Sequence, residues 1–417
     1  MNLHLVQDTV FINDFADLLS EMNEAGNNHF YVYYSESKEK NKYKYLIPEK
    51  FKNTKVLNCD LNDLDKVAAP YKNVFIHLLS DMLFEFTEKV DSKVNLIWCT
   101  WGSDFYGPDE IFTDMVFDKL SAAKFNEWNR EAILDNVKKI RFPLNFKFPY
   151  RFIREEYFYS QRKKKALDAY ESSKQQYLDK KRKLLRKFVY HLNYGLEDHL
   201  FIKEFYRIDP KFGPLFYTMF DEVDDKVDGS SYLEKNDIGK EHKKIFIGNC
   251  ATLHNNHLEL VPVLKNIKSK YPETKFIVPL SYGSKRYSEF ISNKYRENLG
   301  PNFFPIFDFI DKQEYYRILN SIDVMIMNHN VNQGGTNLFK AIYYGKTIFL
   351  KNKNPLGIHL RKNGVHLSDI DSLEKNIDDL FNPLSTETIL ANKKAINNIF
   401  SRNEAAKNLR KVLDGVN

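Results

Sequence analysis

Four short stretches of this 417-residue chain combine residue types that can do chemistry. The first is Trp98-Cys99-Thr100-Trp101-Gly102-Ser103-Asp104-Phe105-Tyr106, an Asp among aromatic rings beside a Gly that lets the chain turn. An acid in such surroundings can have a raised pKa and take a proton from a hydroxyl. The flat rings of Trp101 and Tyr106 suit the apolar faces of a sugar acceptor. The same Asp104 can equally cap the helix that follows, with the Trp pair in the core. His77 ends the run Phe75-Ile76-His77, where it is either a packed, hydrogen-bonded residue or a catalytic one.

Two further stretches suit a diphosphate. In Ile247-Gly248-Asn249-Cys250-Ala251-Thr252-Leu253-His254-Asn255-Asn256-His257, a strand ends in Gly-Asn and a helix follows. That arrangement brings backbone close to a ligand and presents free N–H groups at a positive helix end. The stretch Asn328-His329-Asn330-Val331-Asn332-Gln333-Gly334-Gly335-Thr336-Asn337-Leu338 repeats the device before a second helix. Ordinary Gly-rich turns with Asn or Thr caps are the alternative for both. His254 and His257 find no third ligand in sequence, and the three cysteines (Cys59, Cys99, Cys250) are scattered, so no metal is expected.

These stretches sit at the ends of apolar runs that alternate with helical spacing. Leu3–Val6, Phe30–Tyr34, Lys55–Cys59, Asn73–His77 and Val94–Trp98 predict one parallel sheet. Lys244–Asn249, Lys275–Pro279, Phe303–Phe307, Asp323–Met327 and Thr347–Leu350 predict a second. The expected fold is α/β: two Rossmann-like domains facing across a cleft, one at 1–235 and one at 236–385, with closing helices at 386–417. Acceptor-side residues fall in the first domain and diphosphate-side residues in the second, a division that fits nucleotide-sugar transfer. The stretch Asp221–Lys244 reads as the linker.

An insertion at about 107–187 differs in character. From Gln161 to Lys187, eleven Lys/Arg oppose three acids, whereas the whole chain carries a net charge of only +6. Tyr170, Tyr177, Leu184 and Phe188 recur at helical spacing, which predicts a basic amphipathic helix able to lie on an anionic membrane surface. A solvated arm is the plainer alternative. No RNP-like or zinc-finger pattern points to nucleic acid. The start lacks a signal-peptide pattern and no apolar run approaches bilayer length, so a protein that is soluble or at most lies on a membrane is expected.

The ordered series of motifs resembles glycosyltransferase family 56, the bacterial TDP-N-acetylfucosamine:lipid II N-acetylfucosaminyltransferases (4-alpha-L-fucosyltransferases). The resemblance rests on His77, Trp101-Gly102-Ser103-Asp104-Phe105-Tyr106, Gly248-Asn249 with Asn256-His257, and Val278-Pro279 with Tyr282. Tyr315-x3-Leu319-x3-Asp323 and Gln333-Gly334 leading to Gly345 complete it. It implies a GT-B fold, a nucleotide-diphosphate sugar donor held by the second domain, no metal, and a polyprenyl-diphosphate-linked saccharide acceptor. It also implies a cytoplasmic place, peripheral on the inner membrane face. It makes Asp104 the base candidate with His77 behind it. Gly248, Asn249, Asn256, Tyr282, Gln333, Gly334, Gly335, Thr336 and Asn337 become donor-site candidates, and Trp101 and Tyr106 acceptor-site ones. The insertion is longer than the family leads one to expect, and the Gln-Gly loop lacks the Glu that many retaining GT-B enzymes place on the donor sugar. The alternatives are transfer of another hexose from GDP or UDP to a protein or lipopolysaccharide, and a non-catalytic scaffold that docks on membranes.

Overall fold

The computed structural model describes the chain except residues 35–42, 52–55, 58–60, 108, 136, 138–148, 216, 218–228, 374, 376 and 417. Cys59 and the first part of the expected linker lie outside the described residues. Seven strands form the first sheet: β1 (Asn2–Gln7), β2 (Asn28–Tyr34), β3 (Val56–Leu57), β4 (Asn73–His77), β5 (Asn95–Cys99), β6 (Phe188–Asn193) and β7 (Lys211–Pro214). Their order is β3-β2-β1-β4-β5-β6-β7 and every pairing is parallel. Helices α1 (Val10–Glu21), α2 (Leu64–Ala68), α3 (Phe84–Lys89), α4 (Ser103–Tyr106), α5 (Asp109–Val116), α6 (Lys119–Asp135), α7 (Pro149–Leu185) and α8 (Leu196–Tyr206) connect them. Alternate strand residues feed opposite faces: Val74 and Ile76 enter one core, and Phe75 enters the other. That is why these strands read as continuous apolar runs rather than as half-polar ones.

The second sheet has six parallel strands in the order β10-β9-β8-β11-β12-β13. They are β8 (Lys244–Ile247), β9 (Lys275–Pro279), β10 (Phe303–Ile306), β11 (Val324–Met327), β12 (Thr347–Leu350) and β13 (Ser368–Asp369). Around them lie α9 (Ser231–Lys235), α10 (His257–Lys270), α11 (Lys285–Leu299), α12 (Lys312–Ser321), α13 (Gly335–Tyr343) and α14 (Pro355–Lys362). Leu233 and Ile238 are in this domain's core, so the latter part of the expected linker is built into the second domain. The closing helices divide at Ser401. α15 (Thr386–Phe400) packs Ile396 and Phe400 into the second domain. α16 (Arg402–Val416) buries Leu409, Val412, Leu413 and Val416 against the first. Gly213 makes the last contact possible: a Cβ there would stand 2.7 Å from both Val412 Cγ2 and Leu192 Cδ2.

The insertion is a strut as well as an arm. α6 crosses to the second domain, where Glu259 of α10 accepts from both the amide and the hydroxyl of Ser121 at 2.8 Å. Arg286 of α11 lies 4.3 Å from the Trp128 ring and pairs with Glu131 at 2.6 Å. α7 has 37 residues, a rod of about 55 Å. It ends at Leu185, and Phe188 begins β6, so the apolar spacing that predicted one helix through Phe188 spans a helix–strand junction. The basic run is also divided. Lys181 is buried and donates to the carbonyls of Asp104 (2.6 Å) and Gly107 (3.1 Å). Lys183 pairs with Glu88 at 3.0 Å, and Lys187 donates to the carbonyls of Thr87 and Glu88 near the end of α3. These cations hold the fold together.

Candidate active site

The C-terminal ends of both sheets meet at a cavity of about 320 Å³. One wall comes from the first domain: Thr100, Trp101 and Gly102 after β5, Asn193 at the end of β6 with Tyr194 and Asp198 after it, and Tyr217 after β7. The other comes from the second: Asn249 after β8, Tyr282 after β9, and Asn332 through Asn337 after β11. This is the crevice in which open α/β sheets bind ligands.

Asp104 is not on that wall. Its carboxylate turns into the fold, accepting from Trp98 Nε1 at 2.7 Å, Leu79 N at 3.0 Å and Trp101 N at 2.9 Å. Trp98 is fully buried. The local pattern was the reason to expect a base, yet these three donors fix Asp104 as the brace of the β5–α4 turn. Tyr106 is likewise behind the wall: it is buried, and its hydroxyl donates to Asp198. Trp101 does face the cavity, its ring edge-on to Phe11 and Tyr217.

The acid that faces the cavity is Asp198, in the first turn of α8 and 1% exposed. Burial pushes its carboxyl up to about 6, and donation from Tyr106 and Asn193 holds the rise back. Asn193 Nδ2 approaches at 3.1 Å, and Asn332 of the second domain donates to Oδ2. A carboxylate tuned near neutrality and lining a ligand cavity has the properties of a general base. The sequence did carry a signal: His191-Leu192-Asn193-Tyr194-Gly195 is one more strand end followed by Gly and a helix.

His77 sits one step behind the wall and is fully buried. Tyr217 bonds its Nδ1 at 2.5 Å, its Nε2 meets His4 Nδ1 at 2.8 Å, and His4 Nε2 meets Asn28 Oδ1 at 2.8 Å. Asn28 spends its amide nitrogen on the Glu24 carbonyl, so its oxygen must accept from His4. The chain therefore runs one way, and Tyr217 donates into His77. Burial holds both imidazoles neutral, His4 falling to about 4. His77 thus anchors the Tyr217 hydroxyl behind the wall, fixing the ring that lines the cavity, and does not reach the cavity itself.

On the second-domain wall the work is done by backbone. Gly334 has φ +64 as the N-cap of α13, and a Cβ there would lie 2.8 Å from Met327 Cε and 3.1 Å from Asn249. The amides of Gly335, Thr336 and Asn337 open α13, where no intrahelical acceptor exists. Asn337 Nδ2 donates to Tyr315 at 2.9 Å, and Asn249 Nδ2 to Tyr282 at 3.0 Å. Gln333 gives its nitrogen to Cys250 and Thr252, while its oxygen is buried with no partner among the described residues. Gly248, at φ +67, leaves room for Asn255, whose oxygen accepts from Asn249 N and His329. No Lys or Arg is among the described residues lining the cavity.

Asn256 belongs to the domain joint and not to the cavity. It is fully buried at φ +46, accepts from Asp118 N at 2.8 Å and donates to the Asn328 carbonyl at 3.0 Å. Lys351 and Asn330 complete the joint by donating to the Asp118 carboxylate.

No protein-family model and no curated protein matches the chain. Solved structures do. A glycosyltransferase from Rickettsia africae superimposes with a TM-score of 0.62 at 11% identity, over 100% of this chain and 98% of that one. Sucrose-phosphate synthase from Thermosynechococcus elongatus gives 0.63 at 10%, again over 100% and 98%. Anabaena HepE in complex with UDP gives 0.62 at 9%, over 99% of each chain. At these identities the likeness shows the fold, and that fold is GT-B.

Proposed function

We propose that the chain is a glycosyltransferase that moves a sugar from a nucleoside-diphosphate donor to an acceptor hydroxyl with inversion at the anomeric carbon. The observation that carries this reading is Asp198, a buried acid on one wall of the cavity whose other wall is the amide-rich start of α13. In the reaction, the acceptor oxygen bonds to the sugar's anomeric carbon as the bond from that carbon to the diphosphate oxygen breaks. Asp198 takes the acceptor's proton. The nucleoside diphosphate leaves with the negative charge, which the amides of Gly335 and Thr336 and the dipole of α13 receive without a divalent cation. Trp101 and Tyr217 offer ring faces to the acceptor.

The finer reading is a TDP-linked, N-acetylfucosamine-type sugar passed to a polyprenyl-diphosphate-linked saccharide in cell-surface glycan synthesis. Its support is the resemblance to family 56. A UDP donor has its own support, since Anabaena HepE was solved with UDP and with UDP-glucose. Both readings share a pyrimidine nucleoside diphosphate. Calorimetric titration with TDP, UDP and GDP in EDTA tests them together. Binding of TDP or UDP in preference to GDP supports the proposal, and the tighter of the two names the donor. Absence of binding by all three overturns it in favour of a non-catalytic scaffold.

A further inference from the structure

The exposed face at the start of α7 has no task in the cavity. Gly107 meets Lys181 and Asn129 bonds Tyr170, so α6 and α7 run in opposite directions. α6 ends at Asp135, six residues past Asn129, which places its end opposite Lys164. The turns of α7 before Lys164 therefore extend past α6. At 100° per residue, Tyr157, Phe158, Gln161, Lys164 and Lys165 fall on one face of that extension, and all five are exposed, Tyr157 at 58% and Phe158 at 50%. Residues 149–165 hold six Lys/Arg and two acids, and residues 138–148 before them hold four and none.

We propose that this end of α7 docks the protein on an anionic lipid surface, with Tyr157 and Phe158 at the headgroup boundary and Lys164 and Lys165 on lipid phosphates. Aromatic rings and cations sharing one helix face match the two components of such a surface, the apolar boundary and the negative charge. Among the described residues no helix is long and apolar enough to cross a membrane, so attachment here is lateral. The basic run at 161–187 thus contributes only its beginning to the lipid, because Lys181, Lys183 and Lys187 are committed within the fold. The docking does not depend on which sugar the cavity takes.

The test is sedimentation of the full chain with vesicles of phosphatidylcholine alone or with phosphatidylglycerol added. The wild type should pellet only with the anionic vesicles. Reversal of Lys163, Lys164 and Lys165 to Glu should weaken that binding at least about tenfold, given the energy each cation contributes near such a surface. Tyr157→Ser with Phe158→Ser should weaken it too while leaving the charge intact. Reversing three exposed lysines elsewhere, Lys265, Lys285 and Lys411, should leave it unchanged, which separates a docking face from general attraction. Equal loss in the two reversals overturns the proposal, as does no pelleting of the wild type or capture by acidic protein without vesicle binding. Nucleotide titration of the same variants should match wild type, so failure here leaves the sugar-transfer reading standing.

Discussion

On the first-domain wall of the cavity the polar groups are side chains, and Asp198 and Tyr217 are each steered by a partner buried behind it. Tyr106 and Asn193 hold Asp198, and His77, His4 and Asn28 hold Tyr217. On the second-domain wall they are largely backbone amides, exposed because Gly334 turns the chain into α13. The materials differ in what can change them. A side-chain wall titrates, and single isosteric substitutions can silence it without moving it. A backbone wall does not titrate, and only an added Cβ or a displaced loop disturbs it. pH dependence should therefore come from the acceptor side, and steric sensitivity from the donor side.

The largest effect should come from Asp198→Asn. Loss of a general base costs roughly 10²–10⁴-fold in turnover, while nucleotide affinity should stay at the wild-type value, as release assays and calorimetry will show. The stability of this variant relative to wild type should also move in the variant's favour as pH rises through about 6. The folded-state pKa of Asp198 is raised to about 6, so the fold binds its proton more tightly than the unfolded chain does. Stability from this group is complete at low pH and is lost as pH rises through about 6, a loss that an amide escapes. Thermal melts of both proteins across pH 4–8 measure it.

Gly334→Ala probes the other wall. Its Cβ is forced into a left-handed conformation and against Met327 and Asn249, so donor affinity should fall by about tenfold, equivalent to ~1.4 kcal/mol. The pH profile should keep its shape. An unchanged affinity would show that donor binding does not depend on the α13 turn.

Asp104→Asn sharpens the comparison by removing the acid that local sequence favours. An amide cannot accept from all three donors, so stability should drop by about 1–3 kcal/mol, with turnover per folded molecule close to wild type. The reverse pattern, full stability with lost turnover, would return the base role to Asp104. Tyr106→Phe gives the smallest change. The phenol donates to ionised Asp198 and holds its pKa down, so removing it should move the acid limb of the turnover profile up by about half a unit to one unit.

Much of this was legible in the sequence, for reasons that also mark where reading stopped. The two sheets are written in short apolar runs, and the second-domain wall of the cavity is written in Gly334, Gly335 and Thr336, because a helix start entered through a left-handed residue favours glycine and says so locally. Asp198 was not legible as a base. Its tuning depends on Tyr106, Asn193 and Asn332, which come from separate segments and from both domains. Aromatic neighbours announce burial but not direction, and the oxygens of Asp104 point to Leu79, Trp98 and Trp101. The same holds for Asn256: its place after Gly248 suits a ligand loop, and its side chain faces Asp118 and Asn328.

The break between α15 and α16 at Ser401 means that the polypeptide passes between the domains twice, once after β7 and once here. A door hung on one hinge can sag and twist, whereas one hung on two can only swing. The paired crossings restrict the domains in the same way, favouring rotation about the line that joins them. Asn332 meets Asp198 across that line, so a rotation of this kind is the motion that would make or break their contact.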